Sequence, residues 1–277
     1  MRQGACLSLQ LQRGIRNRGS AMNANTSVEI FADVARLAAA AGSRFLGLAR
    51  DAVAARGAFT VALSGGATPK GLYTLMATDH RLRAAIPWAD THFFFGDERH
   101  VAPDQADSNF RMVDEALFQH LPPGLTHIHR IPGEIADAAE AASICEEDMR
   151  GFFEAHCLVD GGFPRFDLIF LGMGPDGHTA SLFPESPALL ETHRWVVANW
   201  IERFKTHRIT LTFPVLNNAR GVVLLVAGAS KAPVVAEVFE PTPAGPAYPV
   251  QRVVPRSGTK RWMLDEAAAS RLPKGKA

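Results

Sequence analysis

FDLIFLGMGPDGHTAS, residues 166–181, joins an apolar run to a glycine-rich turn. Leu168–Leu171 is short, continuous and free of polar residues, the pattern of a strand buried on both faces. Gly172, Gly174 and Gly177 let the chain turn sharply at its end. The turn delivers Asp176 and His178 to what reads as the start of a helix. An imidazole placed there can serve as a neutral base at physiological pH. A helix N-terminus favours its uncharged form, and an adjacent carboxylate offsets that effect and orients the ring.

Outward from this turn, strands and helices alternate. Residues 27–56 carry many alanines and apolar positions at helical spacing, which predicts one long helix. Strands are expected at 59–63, 91–95, 127–131, 166–171, 195–198, 208–213 and 222–227, with 262–264 closing the sheet. Helices are expected from Thr68 and Pro69 through 77, over 109–120 with Pro122-Pro123-Gly124 ending it, over 134–157 and over 230–239, with a short one at the end. Residues 241–249 (PTPAGPAYP) read as a surface loop. The alternation argues an α/β architecture with a mainly parallel sheet covered on both faces.

Composition narrows the function classes. The chain has 277 residues, 47% hydrophobic and 21% charged, with a formal net charge of +1. Those values suit a soluble globular protein and give no electrostatic case for nucleic acid or membrane binding. No apolar run approaches the roughly 20 residues of a membrane span. Cys6, Cys145 and Cys157 form no CxxC pair and cannot all pair internally, which points to a reducing, cytoplasmic setting. Residues 1–26 hold four arginines and no acid. They read as a disordered extension, or as the product of a start placed ahead of Met22, with residues 27–277 forming one domain.

In a parallel sheet ligands gather at the carboxyl ends of the strands, and four segments fall there. Ser64-Gly65-Gly66-Ala67-Thr68 is a turn entering a helix, whose N–H groups suit a phosphate. Gly96-Asp97-Glu98-Arg99 ends a strand in charge, and Arg99 can grip an anion with its planar fork. The third segment contains Gly172-x-Gly174-x-x-Gly177, a dinucleotide-binding pattern. A pyrophosphate is disfavoured there, because Asp176 would repel it and Pro175 removes a donor. The following strand, 197–199, also ends without the acid expected for a ribose. In Gly228-Ala229-Ser230-Lys231, Ser230 reads as an N-cap. That puts Lys231 in a first helical turn, where a cation opposes the dipole by roughly 0.3–1 kcal/mol and suggests an anionic ligand. His127 and His129 share a strand face without a third ligand nearby and read as structural. Asp104, Asp107 and Glu115 lack calcium-loop spacing, and Ser64 and Ser181 lack a hydrolase nucleophile context.

Taken together, LSGGATPKGLY (63–73), FFGDERHVAPDQADSNFRM (94–112), HRIPGE (129–134), FDLIFLGMGPDGHTASLFP (166–184), RITLTFPVLNNAR (208–220) and GASKAPVV (228–235) resemble the 6-phosphogluconolactonase family. The resemblance runs from about residue 27 to 268. It implies a three-layer α/β/α fold with a Rossmann-like sheet, shared with glucosamine-6-phosphate deaminase and ribose-5-phosphate isomerase. It further implies hydrolysis of 6-phospho-D-glucono-1,5-lactone in the oxidative pentose phosphate pathway, with no metal or organic cofactor. The partner expected is the small sugar-phosphate lactone, and the protein is expected as a monomer or weak homo-oligomer. The deaminase also carries a DGH turn, but continues HIAFNEP where this chain has His178-Thr179-Ala180-Ser181-Leu182-Phe183-Pro184. Its DEY motif is here Asp97-Glu98-Arg99.

These readings combine into an expected mechanism. Backbone N–H groups of Ser64, Gly65, Gly66 and Thr68 hold the 6-phosphate, with charge from Arg99, Arg208 and Lys231. His178, oriented by Asp176, activates water for attack on the lactone carbonyl without a covalent intermediate. Residue type alone leaves open how the cations divide between phosphate and oxyanion.

Overall fold

The computed structural model describes residues 25–122, 127–241 and 247–273. Its central sheet runs β1 (Thr26–Phe31), β11 (Thr259–Asp265), β10 (Gly221–Val226), β7 (Leu168–Leu171), β2 (Phe59–Leu63) and β3 (Thr91–Phe95), with every neighbouring pair parallel. The inner strands β2, β7 and β10 are buried at every residue, as their apolar sequences require. A second, antiparallel sheet holds β4 (Asp97–Arg99), β9 (Thr206–Leu211) and β8 (Val196–Ile201). A small hairpin joins β5 (Val159–Asp160) to β6 (Phe163–Pro164).

The helices are α1 (Val34–Arg56), α2 (Ala67–Thr78), α3 (His80–Ala85), α4 (Asn109–Ala116), α5 (Ala138–Ala155), α6 (Phe213–Leu216), α7 (Ala232–Phe239) and α8 (Glu266–Ala269). In α1, Leu37, Ala41, Phe45, Ala49 and Ala52 form one buried stripe, and the Phe45 ring meets Phe59 edge-on at 5.1 Å. Alternation along β11 shows that helices cover both faces. Arg261 points to the α1 side, where it pairs with Glu29, while the next residue, Trp262, packs on Phe239 of α7 at 5.0 Å.

Two buried carboxylates tie the layers together. Asp167 is 4% exposed and accepts from the N–H and hydroxyl of Thr60, both at 3.0 Å, which fixes β7 beside β2. Glu146 on α5 accepts from the backbone of Trp195 at 3.0 Å and Val196 at 3.1 Å, and from Arg194 at 2.9 Å. It thereby pins α5 to the start of β8.

Several sequence expectations need correction. Residues 27–31 are a strand: Thr26, Val28 and Ile30 alternate β-branched side chains, and Asp33 caps α1 by accepting from Arg36 N–H at 2.7 Å. The strand includes Thr26, which the sequence places in the extension, and residues 1–24 lie outside the described part. β1, not 262–264, is therefore the sheet edge. The 134–157 helix starts at Ala138, because Asp137 caps it. Helix 109–120 breaks at Ala116, and its expected stop at Pro123 and Gly124 lies outside the described residues. The 127–131 strand is reduced to one bridge, Phe93 to Ile128. Residues 242–246 of the Pro-rich loop also lie outside.

The third imidazole missing from the sequence reading is supplied by the fold. On β3, His92 lies 4.3 Å from His127 and 5.8 Å from both His129 and His156, ring to ring. No group of three or more such side chains among the described residues is placed to hold a metal ion. Burial first, then these neighbours, lower the His92 pKa to about 4. The unfolded ring takes its proton near 6.5, so stability is retained above that pH and falls as pH drops from 6.5 toward 4. His92→Phe is expected to flatten this loss, measured as urea midpoints between pH 7 and 5.

Candidate active site

The carboxyl ends of the central strands open into one cavity of about 420 Å³. Its lining includes Ser64, Gly65, Gly66, Thr68, Arg99, His178, Arg208 and Lys231. Eight of the nine residues singled out from sequence thus meet in one place, and the ninth, Asp176, bonds to His178.

The first wall is the turn from β2 into α2. Tyr73 from α2 folds back on it: its hydroxyl accepts the Ser64 N–H and donates to the Ser64 carbonyl, both at 3.0 Å. The Ser64 N–H is therefore already committed, contrary to the sequence reading, and the turn's free donors begin at Gly65. The Ser64 hydroxyl is buried and makes no hydrogen bond among the described residues. The cap of α2 is Gly66 rather than Thr68. A Cβ at Gly65 would lie 1.9 Å from the Asn109 side chain, so any substitution there must displace Asn109.

The second wall is the β4–β9 ladder. Arg99 and Arg208 are register partners across it. Like charges directly opposed on a sheet are unfavourable unless something negative lies between or above them. Burial, then the charge of Arg99, lowers the Arg208 pKa. Arg99 is aimed by donating to the Asp107 carbonyl at 2.5 Å. Its neighbour Glu98 is no catalytic acid. It is 2% exposed and accepts the N–H groups of Arg99, Asn109 and Phe110, each at 2.7 Å. Burial raises its pKa against those bonds.

The third wall is the 172–178 turn. No helix follows it: the chain makes a bridge between Thr179 and Leu182, and the next helical residues are the 3₁₀ turn Pro187–Leu190. A helix dipole therefore does not act on His178. Instead the turn closes on itself, with Gly174 N–H donating to the His178 carbonyl at 2.9 Å. His178 Nδ1 lies 2.5 Å from Asp176 Oδ1, and its ring stacks on Phe183 with centroids 4.0 Å apart. Burial alone would raise the Asp176 carboxyl, but the bond and charge of His178 hold it down to about 2. An ionised carboxylate only accepts, so Nδ1 carries a proton, and in the neutral imidazole the lone pair then lies on Nε2.

Lys231 closes the cavity from the loop after β10. Ser230 does not cap as expected. Residues Ala229–Lys231 form a 3₁₀ turn that runs into α7, and Gly228 N–H is held by Asp265 at 3.0 Å. Lys231 lines the cavity, and burial lowers its pKa while the charge of Asp176 opposes that shift.

Sequence reasoning missed several lining residues. Asp97 accepts from Ser181 Oγ at 2.6 Å, and Asn109 Nδ2 donates to its carbonyl at 2.9 Å. Asp97 was readable from its DER segment, and Phe183 from its place five residues after His178. Phe204 carried no local signal. It lines the cavity and meets Phe183 edge-on at 5.8 Å only because β8 and β9 fold back.

A parallel sheet with a glycine-rich turn, an arginine pair and an Asp–His pair at its carboxyl ends defines an α/β protein with a candidate site for an anionic ligand. The model of the family described as glucosamine-6-phosphate isomerases/6-phosphogluconolactonase matches residues 32–262, and the chain belongs to that family. Within it, the sequence is 42% identical to the 6-phosphogluconolactonase of Synechocystis sp. over 221 residues, 80% of this chain and 88% of that one. It is 37% identical to the Mycobacterium tuberculosis 6-phosphogluconolactonase over 258 residues, 90% of this chain and 99% of the relative. The solved 6-phosphogluconolactonase of Trypanosoma cruzi superposes with a TM-score of 0.75 at 31% identity, covering 91% of this chain and 98% of its own.

Gly174 carries a test of the geometry. A Cβ there would lie 2.1 Å from two atoms of the His178 ring. Gly174→Ala is expected to displace the ring from Asp176 with the fold kept. The downfield proton resonance of the hydrogen-bonded Nδ1 should disappear from the NMR spectrum while far-UV circular dichroism is unchanged.

Proposed function

We propose that this protein hydrolyses 6-phospho-D-glucono-1,5-lactone to 6-phosphogluconate, the lactone step of the oxidative pentose phosphate pathway. The observation that carries this reading is a carboxylate-oriented imidazole with a free Nε2 in the same cavity as two opposed arginines. One group activates water and the other binds a phosphate. The names of the relatives supply the lactone.

The cations divide by their electrostatic neighbours. Arg208 stands opposite Arg99 across the ladder, so this pair, with the turn donors from Gly65 to Thr68, takes the 6-phosphate. Lys231 feels Asp176, so it stands by the carbonyl and stabilises the oxyanion. Nε2 of His178 removes a proton from water as the oxygen attacks C1. The imidazolium, held by Asp176, then protonates the departing ring oxygen and the ring opens. The step needs no covalent intermediate, since a lactone is already an activated ester. The reaction is assigned to the cytoplasm, in keeping with the unpaired Cys145 and Cys157.

The assay supplies lactone freshly made from glucose 6-phosphate and follows acid release above spontaneous hydrolysis. His178→Ala should lower kcat by about 10²–10⁴ in a folded protein. Wild-type turnover in that variant removes the base assignment. Arg208→Ala should chiefly raise KM, whereas Lys231→Ala should chiefly lower kcat. Ammonia release from glucosamine 6-phosphate, with no acceleration of lactone hydrolysis, would replace this reading by a deaminase.

A further inference from the structure

A second cavity, of about 310 Å³, lies at the opposite end of the sheet, where β10 and β11 begin and α1 crosses them. At ~3.3 Å per residue, the six residues of β10 set it about 20 Å from the active-site end. Arg44, Arg56, Arg220 and Arg261 all line it.

Two fixed carboxylates serve these four guanidiniums. Glu29 lies between Arg44, at 3.3 Å, and Arg261. Asp167 lies between Arg56, at 2.6 Å, and Arg220, at 3.3 Å, and its other oxygen is taken by Thr60. Each carboxylate therefore neutralises one arginine of two. Asp51, on the exposed rim, leaves the lining with an excess of positive charge.

The donors also outnumber their acceptors. The Nε of Arg44 is buried and makes no hydrogen bond among the described residues, while the buried Nε of Arg220 meets Asp167 Oδ1 at 3.3 Å as an ion pair without hydrogen-bond geometry. Burial lowers the pKa of both, joined by Arg261 at Arg44 and by Arg56 and Arg165 at Arg220, and opposed by Glu29 at Arg44 and by Asp167 and Asp160 at Arg220. Crowding guanidiniums in a half-buried space is unfavourable without an anion. Leu48, Ala52 and Val223 supply an apolar wall and Thr259 a hydroxyl, and the volume suits a small ligand.

We propose that this cavity is a second anion site, taking the dianionic phosphoryl group of a small molecule. Guanidinium forks match phosphoryl oxygens in geometry and charge. Nothing in lactone hydrolysis uses the site.

Equilibrium dialysis with radiolabelled inorganic phosphate and ribose 5-phosphate tests this on the full chain. Wild type should bind two equivalents. Ala55→Glu, which places a carboxylate in the cavity from an exposed helical position and breaks no ion pair, should lose one equivalent and keep wild-type turnover. Arg44→Gln/Arg220→Gln should lose the same equivalent. Arg208→Ala should lose the other one, so the two sites are counted separately. Tighter binding of ribose 5-phosphate than of phosphate at the site lost in Ala55→Glu assigns an ester, and the reverse assigns the free ion. Unchanged stoichiometry in a folded Ala55→Glu protein overturns the proposal.

Discussion

Everything at the active-site end depends on how the chain leaves the parallel sheet at Gly96. Its N–H donates to the Leu63 carbonyl of β2 at 2.8 Å, and its carbonyl accepts from Leu211 of β9 at 2.9 Å. One residue is thus bonded to both sheets. Before it the chain is parallel strand β3, and after it antiparallel strand β4. This switch carries Asp97, Glu98 and Arg99 over the carboxyl ends of the sheet and brings β9 with Arg208 alongside. Without it, Arg99 would end a strand in solvent and Arg208 would sit elsewhere.

Around that junction, buried carboxylates hold the framework while the Asp176 carboxylate serves the imidazole. Glu98 accepts three backbone N–H groups and fixes the start of α4 against β4. Asp97 is held by Ser181 and Asn109, and Asn109 packs into the space left by the missing side chain of Gly65. The phosphate-type turn, the arginine strand and the helix behind them therefore form one continuous network. Asp176 differs: its carboxylate faces His178, and its bond determines which imidazole nitrogen is free. The imidazole is positioned by a turn bonded to itself and by the Phe183 face, with no helix dipole involved.

The two ends of the sheet share one electrostatic theme. At the carboxyl end two arginines oppose each other across a ladder. At the amino end four share two carboxylates. Desolvated guanidiniums are costly to hold near one another, and at both ends a bound phosphoryl group would offset that cost.

Local chemistry was enough to read much of this protein. The apolar stretches Leu168–Leu171 and Gly221–Val226 are strands because continuous apolar sequence suits strands covered on both faces. The glycine-rich turns mark where backbone must bend, and the residues beside them marked the site. Other features were settled only by the fold. Residues 27–31 look helical beside the alanines that follow, but β11 offers them a parallel partner, and pairing overrides local periodicity. The helix expected after His178 is absent because the segment is bonded instead to Thr210 and Gly172. The opposition of Arg99 and Arg208, residues 109 positions apart in the chain, and the arrival of Phe204 at the cavity have no local signature at all. Residue type and spacing determine which chemistry a segment can do. Strand pairing across the chain decides which of those segments face one another, because that choice depends on hydrogen bonds between residues that share no local pattern.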